Sequence, residues 1–293
     1  MLNEIYHALD PIAFSIGPFA VRWYGLAYIL GFACAGLVIA RTSRRWKLLI
    51  DEDSLTTIVF CVVVGVIVGA RLGYVLFYGD GDYLRNPLEI LALNHGGMSF
   101  HGGLLGALAA GAVAARFTGI PYLTLADLGA IAAPIGLFFG RCANFINGEL
   151  WGATTDAPWG VSFGGAAGDV MRHPTQLYEA TLEGLLLFAL LFALSRKTPP
   201  RPRGTFIGAF LVVYGIARFL VEFVRQPDVQ LGYLYGGWLT MGQVLSVPLI
   251  VAGAAVLALS LAKKLPQQGL PAVCEGGSSD ALADDEAQGG SAE

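Results

Sequence analysis

The chain has 293 residues, 55% of them hydrophobic and 14% charged, with a net charge of −4. A soluble domain carries about 25% charged residues, and the mean hydropathy here is +0.61, so an ordinary water-soluble globule is excluded. The apolar residues fall in blocks, several near the roughly 20 residues a helix needs to cross a bilayer core, and the expected fold class is an all-α polytopic membrane protein.

In chain order, the N-terminus places Glu4 and Asp10 ahead of any Arg or Lys. A cleavable signal peptide needs a basic leading region, so the first apolar block is expected to stay in the membrane. About seven spans are expected, near 18–40, 54–78, 98–115, 121–140, 174–195, 204–226 and 238–262. Arg41, Arg44, Arg45 and Lys47 follow the first; Arg116 follows the third; Arg196, Lys197, Arg201 and Arg203 follow the fifth; Lys263 and Lys264 follow the seventh. Basic residues mark the cytoplasmic side, so the N-terminus is expected outside and the C-terminus inside. Residues 1–264 form one transmembrane domain in this reading. Residues 265–293 are rich in Gly, Ser and acids, bury too little to order themselves and are expected to be a disordered cytoplasmic tail.

The remaining basic residues are all arginine: Arg22, Arg71, Arg85, Arg141, Arg172, Arg218 and Arg225. They lie on the outer side or inside a span near it. A guanidinium near hydrocarbon is costly unless paired or hydrated and marks a functional site by default. Arginine rather than lysine is favoured where phosphate or carboxylate is gripped by parallel hydrogen bonds. A phosphate-bearing lipid headgroup is the nearest ligand. Nothing resembles a nucleic-acid surface. The four cysteines (Cys34, Cys61, Cys142, Cys274) show no metal spacing and read as small hydrophobes. Neither a disulfide framework nor a metal site is expected.

Three strings carry chemistry. His95-Gly-Gly-Met-Ser-Phe-His101-Gly-Gly-Leu-Leu-Gly106 opens the third span. His101 is either a packed histidine or a proton acceptor, since imidazole titrates near working pH. Gly102 and Gly106 suit close helix packing. The string ending the fourth span holds Arg141 and Asn144 on one helix face, then an Asn147-Gly148 turn and Glu149. In the sixth span Tyr214, Arg218, Glu222 and Arg225 form one helical stripe. Two arginines against one glutamate leave a positive excess that suits an anion, although a structural ion pair also fits. Tyr24 behind Arg22, Arg71 with Tyr74 and Tyr78, and Gln176, Glu179 and Glu183 on one face of the fifth span each read first as structural, Arg71 as a side chain that snorkels to water.

Together RWYGLAY (22–28), GGMSFHGGLLG (96–106), GRCANFINGELWG (140–152), RHPTQLYE (172–179) and RFLVEFVRQPD (218–228) resemble the bacterial prolipoprotein diacylglyceryl transferase family, across the chain to about Lys264. The resemblance implies seven spans with chemistry at the outer face of the inner membrane. It also implies transfer of the diacylglyceryl group of phosphatidylglycerol to the lipobox cysteine of a preprolipoprotein signal peptide, with release of glycerol 1-phosphate. His101 matches the family's essential histidine, and Arg141 and Arg218 match its essential arginines. Tyr24, Asn144, Glu149, Tyr214 and Glu222 match residues the family treats as important, and Arg225 joins them as a lipid-binding expectation. On this reading His101 takes the thiol proton, with Glu149 and Glu222 as the less favoured acceptors, and Arg141 and Arg218 hold the departing phosphate. Two other classes compete. A lipid or anion transporter would carry polar groups through the full depth of several spans; here Asp127 is a rare inner exception. A serine-type intramembrane protease would need Ser99 paired with His101, and two residues' separation does not place them on one helical face.

Overall fold

The computed structural model describes residues 1–17, 19–78, 83, 86–92, 97–227 and 232–270. Arg85, His95, Asp228 and everything past residue 270 lie outside the described residues, as does the side chain of His101.

The chain opens with α1 (Leu2–His7) and an antiparallel hairpin, β1 (Ile12–Ile16) with β2 (Phe19–Arg22). Seven apolar helices follow: α2 (Trp23–Arg45), α3 (Glu52–Tyr78), α4 (Phe100–Thr118), α5 (Tyr122–Ile146), α6 (Thr175–Ser195), α7 (Thr205–Val221) and α8 (Met241–Lys263). A 3-10 turn at Pro87–Leu91 lies between α3 and α4. A second hairpin, β3 (Val161–Ser162) with β4 (Met171–Arg172), lies between α5 and α6. Five helices, α2, α3, α5, α6 and α8, are long and apolar enough to cross a membrane; α4 and α7 are apolar but shorter.

Each expected span coincides with one of these helices, with two corrections. The first helix starts at Trp23 instead of 18, because residues 12–16 and 19–22 pair as the strands of a hairpin. The sixth stops at Val221, where Phe223 and Val224 donate to the carbonyls three residues back and the carbonyl of Val224 accepts from the amide of Ala153. Arg225 is therefore beyond the helix that was expected to carry the whole stripe.

The burial pattern suits an apolar solvent. Leu76, Phe60, Ile29, Leu105 and Val251 point outward, each at least 62% exposed. A face of that kind is sustainable where hydrocarbon replaces water, and the fold is that of a mostly helical polytopic membrane protein. Inside, Trp46, Leu128, Ile131, Leu187, Leu191 and Phe206 form one cluster; Ile58, Ala114, Ile120 and Leu125 form another. Lipid is as apolar as leucine, so helices associate through close packing of small residues. The α3–α4 pair shows this. A methyl group on Gly106 would collide with the Gly65 carbonyl, and one on Gly73 would lie 2.7 Å from the Cα of Gly102.

Asp127 sets the opposite end of the bundle from Arg141, Arg218 and Arg225. Its buried carboxylate accepts from the amides of Gly204 (2.7 Å) and Ile207 (2.8 Å), so it caps α7 from α5. It also accepts from Gln267 Nε2 at 2.6 Å. The expected tail thus begins with residues held on the helix ends: Leu265 accepts from the Arg203 amide, and the Leu270 amide donates to Leu49 at 2.6 Å.

Gly106→Leu should lower the thermal midpoint in detergent by an amount equivalent to about 1–3 kcal/mol, the usual cost of overpacking. Gly129→Ala, whose added methyl meets nothing within 4 Å, should leave the midpoint unchanged or raise it.

Candidate functional site

Four elements converge at one end of the bundle: the end of α5, the start of α6, the end of α7 and the cap of α8. At their centre is Glu179, fully buried. Three guanidinium groups meet its carboxylate. Arg218 Nη1 donates to Oε1 at 2.5 Å, Arg225 Nη1 donates to the same oxygen at 2.6 Å, and Arg141 Nε stands 2.7 Å from Oε2. Glu222 forms the second node. Its Oε1 pairs with Arg218 Nη2 at 2.5 Å and with Arg225 Nε at 3.6 Å, and its Oε2 accepts from the Thr240 hydroxyl at 2.6 Å. Thr240 also closes a capping box with Gln243 at the start of α8. Glu183 lies 4.0 Å from Arg141 Nη2.

The positive excess expected along the sixth span is therefore corrected. Glu179 and Glu183 of α6 bring the cluster to three arginines and three glutamates. A carboxylate withdrawn from water loses several kcal/mol of hydration unless well-placed donors and charges replace it; here Glu179 accepts two hydrogen bonds, from Arg218 and Arg225, and has the Arg141 guanidinium at ion-pair distance. The two signs are not mixed evenly in depth. The side chains of Arg141 and Arg218 are 16% and 18% exposed, whereas those of Glu179, Glu183 and Glu222 are at most 4% exposed. The carboxylates form the floor, and the arginine side chains, Arg225 at 9% included, keep the greater accessibility.

α6 is built to deliver those carboxylates. Residues Ala180–Leu186 are wound as a π-helix, a form that is rare and frequent at functional sites. Gln176, Glu179 and Glu183 all end up fully buried. The turn after α5 is sewn to the same place. Asn144 Oδ1 accepts from Arg141 at 3.4 Å, and Asn144 Nδ2 donates to Glu149 Oε1 at 2.9 Å, with Asn147 Nδ2 3.3 Å from that oxygen. Gln176 donates to the Glu149 carbonyl and Thr175 to that of Leu150. The Gly152 amide donates to the His173 carbonyl, Gly152 bridges Arg225, and Arg172 donates to the Gly152 carbonyl with its guanidinium 5.2 Å from the Trp151 ring. Three strings distant in sequence, 140–152, 172–179 and 218–225, become one body.

Of the residues singled out by sequence, Arg141, Asn144, Glu149, Arg218, Glu222 and Arg225 come together here. Tyr214 is part-buried on the same helix face, its ring stacked on Phe210 at 5.6 Å. Tyr24 opens α2, which packs along α5, and its hydroxyl lies 3.3 Å from that of Tyr28. His101 sits in the first turn of α4, a helix that packs chiefly on α3. Ser99 is the cap of α4, its hydroxyl accepting from the Gly102 amide. Glu179 is the residue the sequence undervalued. Its sequence signals were a shared face with Gln176 and Glu183 and its place at the end of RHPTQLYE; its partners stand 38 residues before it and 39 and 46 after it.

The family model for prolipoprotein diacylglyceryl transferase matches residues 11–259. Among curated relatives, the phosphatidylglycerol–prolipoprotein diacylglyceryl transferase of Geobacter sulfurreducens is 49% identical over 257 residues, covering 88% of this chain and 97% of its own. That of Methylococcus capsulatus is 49% identical, covering 88% and 98%, and that of Pseudomonas aeruginosa 48% identical, covering 86% and 94%.

Glu179→Gln strands three guanidiniums around a neutral amide. Breaking a buried ion pair costs about 3–5 kcal/mol, and a loss of that size should appear in denaturant or thermal unfolding in detergent. Glu183→Gln should cost less, because neither oxygen of Glu183 has a hydrogen-bond partner among the described residues. His173, beside the site, has its Nδ1 3.1 Å from the Tyr178 hydroxyl. Burial holds its imidazole below the ordinary range. The unfolded chain then takes up this proton first as pH falls. His173 should contribute stability above the ordinary imidazole pKa and lose it as pH falls through the depressed value. His173→Gln should flatten unfolding midpoints measured across that window.

Proposed function

The chain belongs to the prolipoprotein diacylglyceryl transferase family, and on that premise we propose that it moves the diacylglyceryl group of phosphatidylglycerol onto the lipobox cysteine of a preprolipoprotein, the first step of lipoprotein maturation. The observation that carries the reading is the layering of the charged cluster, guanidiniums outward over a carboxylate floor.

The chemistry follows from the substrates. Sulfur attacks the glyceryl carbon that bears the phosphate ester; a C–S bond forms, the C–O bond breaks, and glycerol 1-phosphate departs with the bonding pair. The nucleophile is thiolate, and a free thiol has a pKa of about 8.5, so a proton acceptor helps; His101 has that role in this reading. Charge grows on the leaving phosphate as the C–O bond lengthens. Arg141 and Arg218 are the donors aimed at it, with Arg225 behind them. Glu179 and Glu222 keep the guanidiniums fixed before the lipid arrives, so little reorganisation is needed when charge develops. Asn144 and Glu149 hold the Arg141 side of the cluster, and Tyr24 and Tyr214 flank the lipid. Transfer is direct, with no covalent enzyme intermediate, and needs neither metal nor organic cofactor.

Topology supports this reading. α4 and α7 have 19 and 17 residues, about 29 and 26 Å at 1.5 Å per residue, close to the core thickness of about 30 Å. Seven alternating crossings then bring the starts of α2, α4, α6 and α8 and the ends of α3, α5 and α7 to one side. Tyr24, His101, Arg141, Glu179, Arg218 and Thr240 all lie at those termini. Arg41, Arg44 and Arg45, Arg116, Arg196, and Lys263 lie at the opposite termini, which supports an outside N-terminus and a site at the outer face of the bacterial inner membrane.

The test uses purified protein in vesicles with labelled phosphatidylglycerol and a lipobox peptide. The parent chain should place label on the peptide as a thioether. Arg218→Gln should lose about 10²–10³ in turnover, the scale for removing one donor to developing charge, with Arg218→Lys in between. No thioether from the parent overturns the transferase reading, and near-normal turnover by Arg218→Gln overturns the anion clamp.

A further inference from the structure

Arg71 lies in the last third of α3, and the sequence reading treats it as a side chain that reaches for water. The structure corrects this: the residue is 4% exposed. Its guanidinium fans into the backbone of the segment leading to α4. Nε donates to the Ile90 carbonyl at 2.9 Å and Nη1 to Gly97 at 2.9 Å. Nη2 donates to Glu89 at 2.6 Å and to Ala92 at 3.2 Å. The rings of Tyr83 and Tyr74 lie 5.4 and 6.0 Å from its central carbon.

The same segment is fastened to α3 again just before α4 begins. The Ser99 amide donates to the Ala70 carbonyl at 2.8 Å, and Ser99 caps α4. Gly97 has φ +81, and a Cβ there would stand 2.7 Å from Arg71 Nη1 and 2.6 Å from Tyr74 Cε1. Guanidinium and backbone are in direct contact, with no room for a side chain between them. Burying a charge costs several kcal/mol unless its donors are used. Here they are used on carbonyls at 89–92 and 97, which lie on the approach to the second residue of α4, His101.

We propose that Arg71 is a positioning residue for the transfer reaction: it clamps residues 89–92 and Gly97 against α3 and thereby sets where the start of α4, and His101 with it, stands. The proposal rests on the reading of His101 as the thiol's proton acceptor. A lysine keeps the charge of Arg71 but cannot present the planar fork, so it tests geometry rather than electrostatics.

The experiment has two arms. In the kinetic arm, Arg71→Lys should lose on the order of a hundredfold in kcat, the scale of a small misplacement of a reacting group, with KM for phosphatidylglycerol held within about twofold. Combined with His101→Asn it should be no slower than His101→Asn alone. Independent, multiplying losses overturn the link to His101, as does an unchanged kcat. Full transfer by His101→Asn overturns the proton-acceptor reading and with it that link. In the structural arm, spin labels at Leu91 and Leu76, 76% and 75% exposed, report the clamp directly in the full chain with other cysteines replaced. The distance distribution should broaden in Arg71→Lys. An unchanged distribution overturns the clamp whatever His101 does.

Discussion

The site end of the bundle depends on one shared carboxylate. Glu179 is surrounded by guanidiniums from the end of α5, the end of α7 and the turn beyond it. None of those arginines could stay near hydrocarbon alone, and Glu179 could not stay buried without them. The pairing is also a crosslink in three dimensions, because moving any one element withdraws a charge from the other two. Buried ionic groups rarely add much net stability compared with well-packed apolar ones. What they supply here is position.

Position matters because the proposed ligand is an anion whose charge grows during reaction. Donors that must reorient at that moment lose much of their advantage. The floor of glutamates removes that cost in advance, and it does so without cancelling the arginines at the surface, since the carboxylates are the more deeply buried partners. The π-helical stretch of α6 belongs to the same device. It accommodates Glu183 and its neighbours at the foot of the cluster, where Gly184 lets α6 lie against Phe138 of α5.

The rest of the molecule holds this end still. Glycine faces let α3 and α4 touch backbone to backbone, and the Arg71 clamp ties their connecting segment to the same pair. At the far end Asp127 caps α7 and engages Gln267, so α5, α7 and the chain after α8 share one anchor. The outward leucines, phenylalanines and valines contribute nothing to this internal logic. They are the surface that hydrocarbon requires.

Composition and block length alone determined the class of fold, because apolar runs near the thickness of a bilayer have few other uses. The ordered motifs determined the family, and the spacing of Arg141, Asn144, Arg218 and Glu222 marked most of the charged cluster, since residues three and four apart share a helix face. The sequence was blind where partners are remote. Glu179 looked structural because its arginines lie 38 or more residues away. Arg71 looked like a snorkelling side chain because the carbonyls it binds are anonymous in a sequence; every residue has one. The end of α7 before Arg225 and the hairpin ahead of Trp23 also escaped, since both are settled by backbone hydrogen bonds, which side-chain periodicity does not encode. Tertiary structure alone decided charge balance: a stripe that reads as two arginines and one glutamate becomes neutral only when Glu179 and Glu183 of α6 and Arg141 of α5 are laid beside it.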